Sequence, residues 1–326
     1  MFEGMRVAAV VPAHNEVLHI GQVIETMPEF VDLIVIIDDA STDGTADRAR
    51  AEGDPRVVVI THTLNTGVGG AVVSGHRRVL EEGCDIAVVV PGDAQADPHL
   101  MPHLLKPVAN RSYDYAKGNR FFTVDSYVGM PRNRIVGNIM LSFATKFASG
   151  YYNIFDSQMG YTAISTDVLR RLPLNRISEG YSFENDMLIY LNILRAKVID
   201  VAIPARYGEE VSGIRIHRVV PEMIRLLSAG LFRRLWLKYF FWSFGPVAIM
   251  LACALFAGLL SAFVGVLALT ASIGEPSISA GTATLIILPA LFSVLCLALA
   301  LHLDMTDSPG TSVAISFQSG QVLGND

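Results

Sequence analysis

Along the first two hundred residues, apolar runs of strand length alternate with stretches whose apolar positions recur every three to four residues. The runs are RVAAVVP (6–12), LIVIID (33–38), RVVVITH (56–62), DIAVVVP (85–91) and KVIDVAIP (197–204), and the helical patterns fall at 17–28, 43–52, 67–83 and 98–109. A half-exposed strand alternates apolar with polar residues, whereas these runs are apolar nearly throughout, as in strands buried on both faces. Strands of that kind, alternating with helices, predict an α/β fold: a mixed, mostly parallel sheet with helices on both faces.

Near residue 240 the pattern changes. Residues 246–271 (PVAIMLACALFAGLLSAFVGVLALTA) and 281–303 (GTATLIILPALFSVLCLALALHL) carry no Asp, Glu, Lys or Arg. As helices rising ~1.5 Å per residue, both are long enough to cross ~30 Å of hydrocarbon. Just before them, residues 217–242 mix apolar residues with Arg225, Arg233, Arg234 and Lys238 and include Trp236 and Trp242. That composition predicts an amphipathic helix in the membrane interface, its basic groups toward anionic headgroups. The loop SIGEPSISA between the spans has no basic residue, so the large N-terminal part is expected on the cytoplasmic side of an inner membrane. The expected division is a catalytic domain at 1–215, juxtamembrane helices at 216–243, two transmembrane helices at 244–304 and a disordered cytoplasmic tail at 305–326. The opening run VAAVVPA is too short for a signal peptide.

Composition narrows the partners. The net charge of −6 and the absence of a basic stripe with interleaved aromatics argue against nucleic acid. Cys84, Cys253 and Cys296 have no metal-ligand spacing, and no disulfide is expected in a cytoplasmic domain.

The chemistry lies where the runs stop. The first four end in PAHNE, DDASTDGT, THTLNTGVGGA and PGDAQAD. In an open sheet ligands bind beyond the carboxyl ends of the strands, so four polar ends on one edge amount to a site. Asp38 and Asp39 stand at a strand end, with Ser41, Thr42 and Asp43 available to cap the next helix. Capping alone does not account for two adjacent acids, whose carboxylates are suited to a nucleotide's base imide or ribose hydroxyls. The NTGVGGA segment, with Gly67, lacks the Lys-Ser/Thr ending of a P-loop; close backbone approach or helix entry explains its glycines as well. In GDAQAD, Asp93, Gln95 and Asp97 are hard oxygen ligands suited to Mg2+ or Mn2+ on a diphosphate, and an extended chain would point all three one way.

Taken in order, VVPAHNE, DDASTDGT, NTGVGGA and GDAQADP resemble family 2 glycosyltransferases of the GT-A fold. With KGNRF, DSQMGYTA and YSFENDML, and two terminal apolar helices, the chain is similar to polyprenyl-phosphate glycosyltransferases related to dolichol-phosphate mannose synthase. The resemblance implies inverting transfer from a UDP- or GDP-sugar to a polyprenyl phosphate, with a divalent metal on the diphosphate. By position, Pro12, Ala13, Asn15, Glu16, Asp38, Asp39 and Gly67 would hold the nucleotide, and Asp93 with Gln95 the metal. Asp156, with Asp93 and Arg120, would act at the reacting centre, and Glu184 and Asp186 are its rivals. Lys117, Arg120, Arg132, Arg134, Arg206 and Arg215 supply cations for phosphates. Many relatives have an aspartate where this chain has Pro91, so the metal motif is reduced to one acid, with Asp97 a substitute. Oligomeric state stays open, homo-oligomers through the membrane helices included. Two rival readings are a processive polysaccharide synthase, for which the chain lacks a Gln-x-x-Arg-Trp motif and has too few spans, and a non-catalytic membrane scaffold, favoured only by Pro91.

Overall fold

The computed structural model describes residues 1–122, 132–204, 216–271 and 279–310. They form two compact units, Met1–Leu231 with Pro309 and Gly310, and Phe232–Ser308. In the first, seven strands make one sheet of order β3-β2-β1-β4-β6-β5-β7. These are β1 (Val7–Ala13), β2 (Leu33–Asp38), β3 (Val57–Thr61), β4 (Ile86–Val89), β5 (Tyr115–Asn119), β6 (Thr162–Ser165) and β7 (Val198–Ala202). Between them run α1 (Ile20–Glu25), α2 (Thr45–Ala51), α3 (Gly67–Glu81), α4 (Met101–Ala109), α5 (Arg132–Ser149), α6 (Thr166–Leu169) and α7 (Phe183–Ile193).

The sheet is parallel except at β6, which runs antiparallel to both β4 and β5. Sequence reading found five of these strands and missed β5 and β6. β5 (YAKGN) carries Lys, Gly and Asn in place of an apolar run, and β6 (TAIS) is only four residues long with one large apolar side chain. β2 is buried along its whole length, while β3, at the edge, is only partly buried although its sequence is as apolar. Helix α3 covers β1, and the contact is close: a β-carbon on Gly75 would meet Val10 Cγ1 at 2.2 Å. The strand order reverses between β1 and β4, since β2 and β3 lie to one side of β1 and β4 to the other. That switch point opens a crevice at the carboxyl ends of the two strands.

α8 (Ile216–Leu235) begins in the first unit. Met223 and Leu227 are buried there, Met223 Sδ accepting from Asn185 Nδ2 at 3.1 Å, so this stretch packs on α7. The second unit contains the end of α8, a π-helical turn at Trp236–Phe241, α9 (Pro246–Ala271) and α10 (Ala280–Thr306). α9 and α10 pack as a hairpin, with Ser261 Oγ donating to Ile286 O and Ser293 Oγ to Ala254 O, both at 2.7 Å. Each is long and apolar enough to cross a membrane, with mean hydropathies of 2.5 and 2.6.

The basic residues ahead of α9 do not all face outward as expected. Arg234 is fully buried and holds Asp304 with two bonds of 2.6 and 2.9 Å, and buried Lys238 reaches Asp307 at 3.1 Å. A charge removed from water needs a partner, and α10 supplies it by continuing to Thr306, beyond the end expected at 303. Exposed Trp236 and Trp242 do form an aromatic rim, with Phe232, Trp236 and Phe240 stacked in succession. The expected tail lies, from residue 311, outside the described residues.

Candidate active site

The polar strand ends meet at the crevice. Ala13 pairs with Asp38 in the sheet register, and the Asp39 amide donates to Ala13 O at 2.8 Å. Beyond β1 the chain turns sharply: Asn15 has φ 59° and Ala40, opposite it, φ 57°. Interleaved bonds lock these turns together. Asn15 N donates to Ser41 Oγ at 2.9 Å, Thr42 N to Asn15 Oδ1 at 2.9 Å, and Glu16 N to Thr45 Oγ1 at 2.8 Å. Pro12, Ala13, Asn15, Glu16, Asp38 and Asp39 are thereby brought together.

The two aspartates have different surroundings. Asp38 Oδ1 accepts from Ser41 N at 3.2 Å. Asp39 accepts from the amides of Thr66 and Gly67 at 2.9 and 2.7 Å, from Thr66 Oγ1 at 2.9 Å, and lies 2.7 Å from His62 Nδ1. Burial opposes its charge, but these hydrogen bonds outweigh that cost and hold the carboxyl below its usual range. Asp39 thus clamps the loop before α3. The capping expectation needs correction here, because the N-cap of α2 is Gly44 at φ 90°, while Asp43 reaches over it to Thr45 N at 3.0 Å.

The α3 amides are spent within the chain. Gly67 N donates to Asp39 and Asn65, and Gly69 N and Gly70 N to Glu179 O at 2.8 and 3.2 Å. A β-carbon at Gly67 would lie 2.7 Å from Glu179 O, so close backbone packing accounts for the glycine.

After β4 the chain does not stay extended, and the single-file alternation expected for Asp93, Gln95 and Asp97 is not formed. Ala94 has φ 57°, Asp93 Oδ1 accepts from Gln95 N at 3.0 Å, and Asp97 Oδ1 caps the following turn through His99 N at 3.0 Å. The turn lies against β1: a β-carbon on Gly92 would sit 2.7 Å from Pro12 O. Among the described residues no three His, Cys, Asp or Glu side chains converge on one point. A carboxylate and an amide oxygen fit Mg2+ or Mn2+ shared with substrate phosphates, the usual arrangement for Mg2+, rather than a cage built from protein alone.

Beyond β4 lies a buried charged group. Arg120, after β5, holds buried Asp156 with Nε–Oδ2 at 2.8 Å and Nη2–Oδ1 at 3.1 Å. Burial opposes the Asp156 charge, and Arg120 and Lys117 more than compensate, lowering its pKa. Lys117 was expected to meet phosphate, but it is fully buried, its Nζ bonded to Met159 O, and burial lowers its pKa against the pull of Glu184, Asp156 and Asp200. Asp186 accepts from Ser178 N at 3.0 Å, and burial lifts Glu184 to about 7. Arg132 and Arg134 fall at the start of α5, but their side chains, with Arg206 and Arg215, lie outside the described residues.

Sequence reading missed Asp200. Its Oδ2 accepts from Asn119 Nδ2 and from Phe155 N, each at 2.7 Å, so it ties together the neighbours of Arg120 and Asp156. Burial lifts it to about 7. The signal was one acid inside the apolar run KVIDVAIP.

Residues 8–172 match the model of Glycosyl transferase family 2. The undecaprenyl-phosphate mannosyltransferase of Micrococcus luteus is 34% identical over 61% of this chain and 83% of its own length. The UDP-N-acetylglucosamine–dolichyl-phosphate N-acetylglucosaminyltransferase of Methanococcus voltae is 31% identical over 61% and 85%. Among solved structures, glucosyl-3-phosphoglycerate synthase from Mycobacterium tuberculosis, crystallised with Mn2+, UDP and glucosyl-3-phosphoglycerate, superposes with a TM-score of 0.53. It covers 71% of this chain and 80% of its own at 21% identity, and so shares the fold.

Proposed function

The chain belongs to glycosyl transferase family 2, and we propose that it transfers a single sugar from a nucleoside diphosphate to the phosphate of a membrane-embedded polyprenol. One observation carries this reading: nucleotide-type acids, a metal-type turn and a buried cationic group follow one another along a single sheet edge, in a chain that also has two membrane-length helices. The names of the Micrococcus and Methanococcus relatives support a polyprenyl-phosphate acceptor, and the Mn2+ complex of the structural neighbour supports a divalent ion.

In this reading Asn15, Glu16 and Asp38 hold the nucleoside, and Asp39 keeps their loop in shape. Asp93 and Gln95 hold Mg2+ or Mn2+, which when bound offsets the charge gathering on the departing diphosphate. An acceptor phosphate already carries an anionic oxygen and so needs little help from a base. That oxygen bonds to the anomeric carbon as the carbon–diphosphate oxygen bond breaks on the opposite face, which inverts the configuration. Arg120, oriented by Asp156, supplies positive potential on the acceptor side. Alignment, rather than proton transfer, is then the main contribution of the protein.

Each unit also exposes apolar side chains suited to a membrane surface. Ile139, Met140 and Phe143 stand out from α5 in the first unit; in the second, taken by itself, Trp236 and Trp242 are exposed ahead of α9. Solvent-exposed apolar side chains in this number suit contact with lipid. With Arg225 and Arg233 ahead of the first span, the catalytic unit belongs on the cytoplasmic face. Transfer of label from a sugar nucleotide into a lipid-extractable product tests the proposal.

A further inference from the structure

The last turns of α3 and the loop after α6 line a cavity of about 320 Å3. Its place in the fold follows from the sheet register. β6 runs antiparallel to β4, with Thr162 opposite Val89 and Ser165 opposite Ile86, so the chain leaves β6 at the amino end of β4. The cavity therefore lies at the edge of the sheet opposite the Asp93 turn, and none of the residues assigned to transfer lines it.

Its lining is cationic. Arg77, Arg170 and Arg176 surround it with no Asp or Glu among the lining residues, although the chain as a whole carries a net charge of −6. These charges are not neutralised within the protein. Arg77 Nη2 donates to a neutral acceptor, Asn175 Oδ1, at 2.6 Å. Arg170 Nη1 lies 3.9 Å from Asp167 Oδ1, in a pair more than half exposed on both sides and so worth little. The Arg176 side chain has no partner among the described residues. Elsewhere in this unit Arg48, Arg56, Arg78 and Arg120 each have a carboxylate partner.

Like charges around one cavity repel, and an anion placed among them turns that repulsion into attraction. A carboxylate fills one guanidinium fork, whereas a phosphate group offers oxygens to several forks at once and carries more charge. The Arg77–Asn175 bond ties the α3 wall to the loop wall before any ligand arrives, so little ordering is left for binding to impose. Leu169 and Leu172, both buried, line the same cavity and lower the local dielectric, which strengthens a charged contact. No aromatic ring lines it, so a nucleobase has nothing to stack on.

We propose that Arg77, Arg170 and Arg176 form a second anion site that takes a phosphate group, free or carried on a lipid headgroup, away from the transfer reaction. The assignment stands independently of the glycosyl-transfer reading.

Equilibrium dialysis of the full-length detergent-solubilised protein, at fixed ionic strength, tests it with two radiolabelled probes: inorganic phosphate, and glycerophosphoglycerol, the water-soluble headgroup of an anionic lipid. Arg77→Gln and Arg176→Gln, both at exposed positions, should each weaken binding about tenfold or more, the usual effect of removing a hydrogen bond to a charged group. Arg176→Lys, which keeps the charge without the fork, should recover part of the loss. Uptake of inorganic phosphate, alone or with the headgroup, identifies a free anion as the occupant, and uptake of the headgroup alone identifies a lipid. Phosphate held at the transfer site would survive both substitutions, so the variants separate the two sites. Failure of the wild type to bind either probe, or binding that the double variant Arg77→Gln/Arg176→Gln leaves unchanged, would overturn the assignment.

Discussion

Arg120 holds Asp156 with its backbone as well as its side chain: the Arg120 amide donates to Asp156 Oδ2 at 3.1 Å, beside the paired guanidinium bonds. Charge and chain are fixed together, which sets the direction of the guanidinium rather than merely neutralising it. Asp156→Ala should therefore lower turnover more than donor affinity. Removing one partner of a buried pair costs about 3–5 kcal/mol, and the partial exposure of Arg120 places this case near the lower figure. Steady-state kinetics together with thermal melting check both effects, and Arg120→Lys, which keeps the charge without the fork, should restore stability better than rate.

Asp38 and Asp39 should separate in the same two measurements. Asp39→Ala removes the acceptor for two amides and a hydroxyl, so melting temperature is expected to fall even without donor. Asp38→Ala, which removes one long amide bond, should lower the melting temperature less than Asp39→Ala does and weaken nucleotide binding more.

The metal assignment rests on the turn after β4. Asp93→Ala is expected to reduce metal-stimulated turnover by more than the roughly 10–100-fold that loss of an outer-shell partner costs. Asp97→Ala should cost far less, because that carboxylate is occupied in capping the next turn. A titration of rate against Mg2+ and Mn2+ for each variant distinguishes them.

Asp200 gives a pH signature. Its folded pKa, about 7, is above its ordinary 3.8, so the native state binds the extra proton. Its effect on stability is favourable at low pH and is lost as pH rises from about 4 through about 7. Asp200→Asn mimics the protonated acid, and its melting temperature should gain on that of the wild type between pH 5 and pH 8, by the equivalent of up to about 4 kcal/mol before relaxation. His76, buried and depressed to about 4, acts oppositely, its contribution being lost as pH falls. Only the difference between variant and wild type isolates the aspartate.

In the second unit, Asp304 accepts from Arg234 and from Tyr239 Oη at 2.6 Å. Asp304→Ala would take from the buried Arg234 guanidinium its carboxylate partner, and the second unit should unfold at lower denaturant concentration or temperature, a loss of up to about 3–5 kcal/mol. Ser228→Ala, at an exposed position of α8, is the neutral control.

The parts of this molecule that were legible in the sequence are those in which one residue's neighbours decide its fate. Val7–Val11 and Ile34–Ile37 are short apolar runs without interruption, bounded by polar turn residues, as strands covered on both faces are. The meeting of the Asn15 turn with the Asp38–Thr42 turn at neighbouring strand ends followed from the rule for strand ends. What stayed hidden depends on distant partners. Lys117 looks like a surface cation until Met159, Asp156 and Glu184 close around it. Arg234 looks like a headgroup ligand until Asp304, seventy residues later, takes its charge. β6 is four residues of Thr, Ala, Ile and Ser whose strand character comes from its neighbours β4 and β5.

The most direct test is transfer itself: purified full-length protein, undecaprenyl phosphate and Mg2+ or Mn2+, offered radiolabelled UDP- and GDP-sugars one at a time. The account predicts organic-extractable label with one donor, one sugar per lipid, abolished by chelator and by omitting the lipid phosphate. Label released only as free sugar, or extended into polymer, from protein that is folded and binds nucleotide would contradict it.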